Sequence, residues 1–422
     1  MPQRKCNKTK VTVAKPCKRI TLPIEWEAYK RLVDDKEAFR QWLDNMIVHY
    51  PELFPTAVAQ GYNLHDQRTS RKMPEVSLRR IKLKLPDAAG KDMVVTIAPS
   101  AVMPYMTGYT DEVEKPLFLR RFGVPFWALT YVFGRDDQYW YRLACHWGRY
   151  NIVQTTVQNP DNLPEHLLAD EKHIRLNGEK AYIATTVGND CVLGASVALK
   201  ADTAELTAAY SHFQTEAQQL KSDYAPQTIN TDGWVATQNA WLALFPFITI
   251  IECFLHAFLK VRDRCKRTFR AIYPAIQQRV WDIYAAPDRE QFRQQAAAFK
   301  QWGQEVISGP ALEAIDKLCS KVDSFILAFD HPDAFRTSNM IDRHMEPMAR
   351  WLFSARFFHG HWVSAEKQVR GWAVLHNFWP YCPRAKVHDT YQSPAHRLNG
   401  QTYHDNWLHN LLVSTSLAGA NC

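Results

Sequence analysis

The order of elements between residues 166 and 252 constrains the fold more than any other feature of the chain. Residues 170–176, DEKHIRL, alternate like a strand, and Asn177-Gly178 follows, which is the strongest short hairpin signal. EKAYIATTVG and CVLGASVAL (191–199) are two further strand patterns, separated by a turn at Asn189-Asp190. These segments predict an antiparallel meander of three strands.

A helical pattern and two more strand patterns follow the meander. Residues 203–220, TAELTAAYSHFQTEAQQL, are amphipathic at helical spacing, and QTIN is a short strand leading into Thr231-Asp232-Gly233. A helix from about Trp234 and the apolar strand FITII (247–251) come next. The whole order predicts a mixed α/β unit with a five-stranded sheet, and it matches a ribonuclease-H-like fold.

The other segments differ in character from this α/β unit. Residues 253–335 are helical in pattern and contain few strand formers, which predicts an all-helical insertion, and a last long helix should run from 336 to about 380. We expect six regions: a basic flexible tail (1–23), an N-terminal region of unclear fold (24–115), a helix-turn-helix-like region (116–165), the ribonuclease-H-like domain (166–252 and 336–385), the helical insertion (253–335) and a C-terminal tail (386–422).

The helix-turn-helix prediction rests on three segments. PFWALTYVF ends at Gly134, DDQYWYRLACHWGRY opens on acids suited to a helix N-terminus, and a third segment begins at Asn151. A helical bundle with solvated arginines is an equally good interpretation. Three arginines of this region are candidates for contacts with DNA phosphates: Arg135, Arg142 and Arg149.

Charge and cysteine usage narrow the class of protein. The formal net charge of +8 fits an anionic partner such as nucleic acid without requiring one. The nine cysteines are odd in number and irregularly spaced, which favours reduced thiols in a cytosol. The first 20 residues are basic but lack an apolar run, so they do not resemble a secretory signal.

One apolar stretch, residues 241–259, is long enough to span a membrane. Pro246, Glu252 and His256 interrupt it, and charged groups are costly at a bilayer centre. We therefore expect a buried strand followed by a buried helix. A membrane-associated protein is the rival interpretation.

Three acids fall where the predicted fold brings distant segments together. Asp170 opens the first strand, Asp232 ends the fourth, and either Asp342 or Glu346 starts the final helix. In a ribonuclease-H-like sheet the first and fourth strands are neighbours and the late helix packs across them, so the carboxylates converge. Oxygen-only ligands select Mg²⁺ or Mn²⁺, and two such ions can clamp the attacking and leaving oxygens of a phosphodiester.

Several segments resemble one known family. LLADEKHIRLNGEKAYIATTV and INTDGWVATQNAWLALFP resemble the first-Asp and second-Asp segments of DDE-type transposases of bacterial insertion sequences. TSNMIDR resembles their third-acid segment, where an Asn stands three residues before the acid. The pair Cys253-x-x-His256, directly after the apolar strand, is typical of transposases with a large helical insertion, including the Mutator-like group. The resemblance covers about 166–385 and implies a metal site of Asp170, Asp232 and Asp342.

The identity of the third acid stays open between Asp342 and Glu346. The Asn-x-x-acid spacing matches Asp342, although the family usually has Glu there. Asn339 is a good N-cap, which would place Asp342 at a capping-box position. Pro347 pushes the residue before it away from helical geometry, so a helix that began at Pro347 would leave Glu346 at the cap.

Cys253 and His256 share a helix face at i, i+3 spacing. They are either half of a zinc site, an ordinary buried pair, or, as the resemblance implies, support for the active site or a contact to DNA. Trp234 and Trp241 are candidates for stacking on a splayed base, although core packing is the favoured role for both.

Basic residues along the last helical region are further candidates for DNA phosphates, with a solvated helix face as the alternative. They are Arg343, Arg350, Arg356, His359, His361, Lys367 and Arg370.

The resemblance implies a DNA transposase that binds the terminal inverted repeats of its element, cleaves DNA and joins the 3′-ends to target DNA. It implies Mg²⁺ or Mn²⁺ as cofactor, double-stranded DNA as partner, at least a dimer in the DNA complex, no membrane, and a place on the nucleoid in the bacterial cytoplasm. A catalytically inactive, transposase-derived DNA-binding protein is the alternative.

Overall fold

A computed structural model of the chain describes residues 18–86, 90–384 and 390–416. These residues form two compact units. One consists of residues 163–350, and the other, which we call the flanking unit, consists of the described residues on either side of that range. Each unit contains a mixed sheet and several helices, so the chain belongs to the mixed α and β class.

The strands are β1 (Arg19–Leu22), β2 (Tyr62–Thr69), β3 (Ser77–Leu83), β4 (Val94–Pro99), β5 (His166–Leu176), β6 (Glu179–Gly188), β7 (Cys191–Ala198), β8 (Thr228–Thr231) and β9 (Thr249–Glu252). The α-helices are α1 (Trp26–Val33), α2 (Lys36–His49), α3 (Thr110–Leu119), α4 (Phe126–Phe133), α5 (Asp137–His146), α6 (Ile152–Thr156), α7 (Thr203–Leu220), α8 (Val235–Leu244), α9 (Phe254–Cys265), α10 (Tyr273–Ala285), α11 (Arg289–Val306), α12 (Pro310–Cys319), α13 (Val322–Phe325), α14 (Asn339–Ser354), α15 (Trp362–Phe378), α16 (Pro394–Asn399) and α17 (Trp407–Ser414). Short 3-10 helices cover Pro51–Leu53, Thr56–Gln60, Pro104–Met106, Arg120–Phe122, Trp147–Arg149, Pro160–Asn162 and Ile326–Phe329.

The flanking unit contains a four-stranded sheet in the order β1-β4-β3-β2. Strand β1 runs parallel to β4, and the other pairs are antiparallel. Tyr29 on α1 joins this sheet, because its hydroxyl donates to the carbonyl of Ile97 at 2.8 Å and accepts from the amide of Arg79 at 3.1 Å. The sequence RRIKLKL (79–85) has a strand-like pattern, and its residues 79–83 lie in β3. The prediction of a flexible tail over 1–23 is wrong for its last residues, because Arg19–Leu22 form β1. Residues 1–17 of the predicted tail lie outside the described ranges.

The region 116–165 contains the predicted helices, with α4 ending before Gly134 and α5 and α6 capped by the side chains of Asp136 and Asn151. One side of this region packs closely on α15. A Cβ added to Gly148 would lie 2.0 Å from the carbonyl oxygen of Lys367, and one on Gly371 would lie 2.8 Å from that of Ala144. Only glycine permits this separation, so α5 and α15 form one packed layer.

The C-terminal segment differs from the sequence-based prediction. The single long helix expected to about 380 is two helices, α14 and α15, separated where Arg356, Phe357 and Gly360 take positive φ. The tail expected over 386–422 is ordered in its described part, residues 390–416, which form α16 and α17. Leu408 and Leu412 of α17 are fully buried, so this segment belongs to the core of the flanking unit.

The unit 163–350 contains a five-stranded sheet in the order β7-β6-β5-β8-β9. The meander β5-β6-β7 is antiparallel, whereas β8 runs parallel to both β5 and β9. Both predicted turns of the meander are present, with positive φ at Asn177 and Gly178 and again at Asn189 and Asp190. The predicted adjacency of the first and fourth strands of this unit is therefore confirmed.

The five helices α9–α13 follow β9 in the same unit. Residues 253–335 contain helices and no strand, as expected, and they have a hydrophobic core of their own that includes Val261, Ile276, Phe292 and Phe325. The apolar stretch 241–259 consists of the end of α8, then β9, then the start of α9, as the strand-then-helix interpretation predicts. Within the described ranges, no helix has the length and apolar character needed to cross a membrane.

Candidate active site

Strand register places Asp170 and Asp232 side by side. Leu168 of β5 pairs in parallel with Asn230 of β8, so the residues two positions further along lie at one level. Adjacent strands are about 4.8 Å apart. Asp170 is the fifth residue of β5 rather than its first, and Asp232 directly follows β8 rather than ending it, which corrects the predicted positions by a few residues.

The residue that follows β9 is aligned with Asp170 and Asp232. Thr231 pairs with Glu252 of β9, and the amide of Cys253 donates to the carbonyl of Thr231 at 2.7 Å. Asp170, Asp232 and Cys253 therefore form a row across three neighbouring strands. Within this row, Asp232 also accepts a 2.9 Å hydrogen bond from the amide of Trp234, which fixes the turn that leads into α8.

Asp342 approaches this row from the first turn of α14. The helix begins at Asn339, so Asn339 is its first residue rather than its cap, and the amide of Asp342 donates to the carbonyl of Ser338 at 3.0 Å. The helix continues through Pro347 to Ser354, which excludes a start at Pro347. Asp342 therefore lies in an intact helical turn.

The pKa of Asp170 reports the proximity of these carboxylates. Burial raises the pKa of Asp170, and the nearby carboxylates of Asp232 and Asp342 raise it further, whereas the cationic His256 and a hydrogen bond from the amide of Glu171 lower it. Like charges at short range oppose ionisation. The structure thus brings Asp170, Asp232 and Asp342 into one electrostatic environment.

Glu346 belongs to a different environment. Its carboxylate accepts a 2.6 Å hydrogen bond from Arg350, one helical turn further on, and both side chains are 63% exposed. The geometry therefore favours Asp342 as the third acid.

Cys253 and His256 contact the segment that carries Asp342. The hydroxyl of Ser338 lies 3.3 Å from the sulfur of Cys253 and 3.4 Å from Nδ1 of His256. The hydrogen bond from His256, opposing the effect of burial, leaves the pKa of Cys253 lowered. The bond to Cys253 and the charges of Asp170 and Asp232 raise the pKa of His256 to about 9, so the imidazole is a cation beside the acids at neutral pH.

A lysine from the helical segment also reaches the site. Lys321, between α12 and α13, forms an ion pair with Glu252 at the end of β9. Gly233, next to Asp232, has a φ of +89°, and a Cβ there would lie 2.6 Å from Nζ of Lys321 and 2.7 Å from a carboxylate oxygen of Glu252. Sequence reasoning missed this pair, because its members are far apart in the chain and neither belongs to a motif.

Glu171 is a second residue that the sequence did not single out. It points to the opposite face of the sheet from Asp170, where Tyr210 and Thr237 each donate a 2.7 Å hydrogen bond to it. Burial raises the pKa of Glu171 to about 7. These contacts attach α7 and α8 to the strand that carries Asp170.

The two tryptophans near Asp232 differ. Trp241 is fully buried and packs against Tyr210, Phe213 and Phe245, which confirms core packing for that residue. Trp234 is half-buried and contacts the ring of Tyr182 at 5.9 Å between centroids. A stacking role for Trp234 stays a prediction.

The candidate DNA-binding arginines are all exposed, and four of the six have protein neighbours. Arg135 pairs with Glu112, and Arg350 pairs with Glu346. Arg343 lies 3.9 Å from a carboxylate oxygen of Asp190, and Arg149 donates to the hydroxyl of Tyr105. A role in DNA binding stays a prediction for all of them: Arg135, Arg142, Arg149, Arg343, Arg350 and Arg356.

The carboxylates of Asp170, Asp232 and Asp342 are suitable ligands for a hard cation, but they do not form a complete metal site. Carboxylate oxygens are the ligands that Mg²⁺ and Mn²⁺ prefer, and Asp170 bears the charge conflict that a cation would relieve. Across the described part of the chain, however, no three His, Cys, Asp or Glu side chains are close enough to hold a metal ion. Comparison with family models and with curated proteins finds no match for this chain.

Proposed function

We propose that this chain is a DDE-type DNA transposase whose catalytic unit, 163–350, has a ribonuclease-H-like fold with the helical segment 253–335 as an insertion. The observation that carries the proposal is that Asp170 and Asp232 lie on neighbouring strands and that Asp342, on a late helix, is close enough to act on the charge of Asp170. The strand order β7-β6-β5-β8-β9, with a single antiparallel meander followed by two parallel strands, supports the fold.

The chemistry proposed for the site is in-line displacement at phosphorus. Asp170, Asp232 and Asp342 would hold Mg²⁺ or Mn²⁺, which supplies activation of water or a 3′-hydroxyl and stabilisation of the departing oxygen. Asp170 and Asp232 sit on paired strands and so keep a fixed separation, whereas Asp342 is held by α14. His256 offsets part of the negative charge of the three carboxylates before a metal binds.

The proposed partners follow from this chemistry. Double-stranded DNA with the terminal inverted repeats and target DNA would be the substrates, at least two protein copies would act on two DNA ends, and the protein would act in the bacterial cytoplasm. The net charge of +8 supports an anionic partner. Lys321, which lies beside Gly233 and pairs with Glu252, is a further cation near the site.

A nicking assay tests the proposal. The full-length protein is incubated with Mg²⁺ or Mn²⁺ and a supercoiled plasmid that carries the DNA flanking both ends of the gene. Wild-type protein should convert it to nicked and linear forms, and Asp170→Asn should abolish conversion. Asp263→Asn, which changes an exposed acid on α9, is the matched control and should retain activity.

Two results would overturn the enzyme proposal. Retention of full nicking by Asp170→Asn would mean that the activity comes from elsewhere. Specific binding of the flanking DNA without nicking in either metal would instead support the inactive, transposase-derived DNA-binding protein.

A further inference from the structure

We propose that Ser338 is a positioning residue for Asp342, and that its hydroxyl connects the Cys253–His256 pair to the third carboxylate. The inference rests on the proposed function, because it assigns Ser338 a part in preparing the acid cluster. Sequence reasoning did not single out Ser338, since a serine before a helix is ordinarily only a cap.

The hydroxyl of Ser338 is at the centre of three polar side chains. Its Oγ lies 3.1 Å from Oδ2 of Asp342, 3.3 Å from Sγ of Cys253 and 3.4 Å from Nδ1 of His256. The side chain is buried, with 4% of the residue exposed. These contacts lie within a single unit and join α9 directly to α14.

The number of available protons sets the direction of these hydrogen bonds. A serine hydroxyl has one proton to donate, and an ionised carboxylate only accepts. The hydroxyl proton therefore points to Asp342, and the lone pairs of Oγ accept from Nδ1–H of His256 and from the thiol of Cys253. In the same contact, the amide of Ser338 donates to the sulfur of Cys253 at 3.1 Å.

The backbone around Ser338 is fixed by the same neighbouring elements. The amide of Phe254 donates to the carbonyl of Arg336 at 3.1 Å, and the side chain of Asn230 donates to the carbonyl of Phe335 at 2.9 Å. Strand β8 and helix α9 thus hold the segment that precedes α14. With this segment fixed, the bond from Ser338 selects one orientation of the Asp342 side chain.

This arrangement gives the Cys-x-x-His pair a defined physical effect. Cys253 follows β9 at the level of Asp232, and His256 is one helical turn further along. Ser338 connects both to Asp342, which comes from a segment distant in sequence. Outer hydrogen-bond partners of metal ligands typically contribute about 10–100-fold to metal affinity or activity.

The test compares Ser338→Ala and Ser338→Thr in the full-length protein. Mn²⁺ affinity is measured by electron paramagnetic resonance without DNA, and nicking of the flanking-DNA plasmid is measured across a Mg²⁺ titration. Ser338→Ala should bind Mn²⁺ about 10-fold more weakly and need correspondingly more Mg²⁺. Ser338→Thr, which keeps the hydroxyl, should remain close to wild type.

Three further variants separate positioning from folding. Ser211→Ala removes a hydroxyl that bonds a backbone carbonyl within α7, and it should change neither readout. Cys253→Ala should weaken Mn²⁺ binding, and the Cys253→Ala/Ser338→Ala double variant should lose less than the two single losses combined, because both residues act through one connection.

The outcomes distinguish this inference from the proposed function. Wild-type Mn²⁺ affinity and Mg²⁺ dependence in Ser338→Ala would overturn the positioning role while leaving transposase activity intact. A loss that Ser338→Thr does not restore, with a matching fall in Tm, would show a purely structural serine and also overturn it. A wild-type protein that does not nick DNA refutes the proposed function, and one that binds no Mn²⁺ refutes the positioning role as well.

Discussion

Asp342 and Glu346 are one helical turn apart, yet their environments predict different consequences when each is neutralised. Asp342 accepts from Ser338 and acts on the charge of Asp170, whereas Glu346 pairs with Arg350 at the surface. We expect Asp342→Asn to lower nicking by about 100-fold or more, because loss of a metal ligand should cost more than the roughly 10–100-fold lost with an outer partner of a ligand.

Glu346→Gln is the matched comparison for that prediction. An exposed i, i+4 ion pair contributes well under about 1 kcal/mol, so this variant should keep both its Tm and its nicking rate. Rates are measured by plasmid nicking at saturating Mg²⁺. Loss of activity in Glu346→Gln with full activity in Asp342→Asn would assign the third acid to Glu346.

At Gly233 both the backbone conformation and the nearby side chains disfavour any residue with a Cβ. Its φ is +89°, and a Cβ would lie 2.6 Å from Nζ of Lys321. Gly178 has a similar φ of +85° but nothing within 4 Å of an added Cβ. Gly178→Ala should therefore show only backbone strain, about 1 kcal/mol, whereas Gly233→Ala should lose more stability and also disturb Asp232.

Chemical denaturation measures this difference, with nicking as the second readout. The prediction requires Gly233→Ala to be the less stable variant and the less active one. Equal losses of stability in Gly233→Ala and Gly178→Ala would show that the side chains of Lys321 and Glu252 move aside for a methyl group at little cost.

His146 makes the stability of its unit sensitive to acid. Burial, with the charges of Arg149 and Arg19, lowers the pKa of His146 from 6.5 to about 3. Between these values the unfolded chain binds a proton that the folded chain does not, so the free energy of unfolding falls as pH falls from 6.5 toward 3. The slope from this group is at most about 1.4 kcal/mol per pH unit.

His146→Gln should flatten that slope, because glutamine does not titrate. Its side-chain amide can also replace the contact of the His146 ring, whose Nε2 lies 3.0 Å from the hydroxyl of Tyr150. The control His49→Gln removes an exposed histidine of α2 and should leave the slope unchanged. Urea denaturation from pH 4 to 7 provides the measurement. An identical slope in wild type and His146→Gln would contradict the prediction.

The site residues show what local sequence does and does not encode. Asp170 and Asp232 were predictable, because hairpin turns and short apolar strands specify the sheet that aligns them. Ser338, Lys321 and Glu171 were not, because their roles depend on contacts between distant segments. No local spacing marks a serine whose hydroxyl meets a cysteine 85 positions earlier.

At the scale of the element, α14 contains a proline that a helix interior ordinarily excludes. Pro347 lacks the amide that would bond the carbonyl of Arg343, and proline is about 3 kcal/mol less favourable than alanine inside a helix. We expect Pro347→Ala to raise the free energy of unfolding by about 1–3 kcal/mol.

Pro310 offers a control of opposite sign. It is the first residue of α12, where a missing amide costs nothing and the fixed φ is favourable. Pro310→Ala should lower stability by about 0.4–1 kcal/mol through the greater freedom of the unfolded chain. A loss of stability in Pro347→Ala would mean that the ring makes packing contacts that outweigh the helical cost.

Elements differed in how well their pattern predicted them. The meander was recognisable because both turns carry Asn, Asp or Gly at positive φ, and its strands alternate or are apolar. Strands β1, β2 and β4 were not predicted. Strand β1 has only four residues, and β2 is largely exposed and polar, so neither has a clear strand pattern. The break between α14 and α15 was missed because only Gly360 marks it in sequence.

At the scale of the whole molecule, the flanking unit joins the two ends of the described chain. The hydroxyl of Ser416 accepts from the amide of Thr21 at 2.7 Å and donates to its carbonyl at 3.1 Å, so the end of the C-terminal segment closes against β1. His409 bridges Ser100 and Asp111 in the same layer. The polar composition of 386–422 concealed this role, because the few apolar residues of α17 are concentrated on one short buried helix.

The C-terminal helix should therefore be essential to the flanking unit and dispensable for the sheet of 163–350. Leu412→Ala removes a fully buried side chain and should destabilise the flanking unit by about 2–5 kcal/mol. Hydrogen exchange followed by mass spectrometry should show faster exchange in β1, β3 and β4, with protection of β5, β6 and β8 retained. The control Val48→Ala, at a side chain on α2 that is 77% exposed, should change neither set of strands. Equal loss of protection in both sheets would show that the two units unfold as one cooperative body.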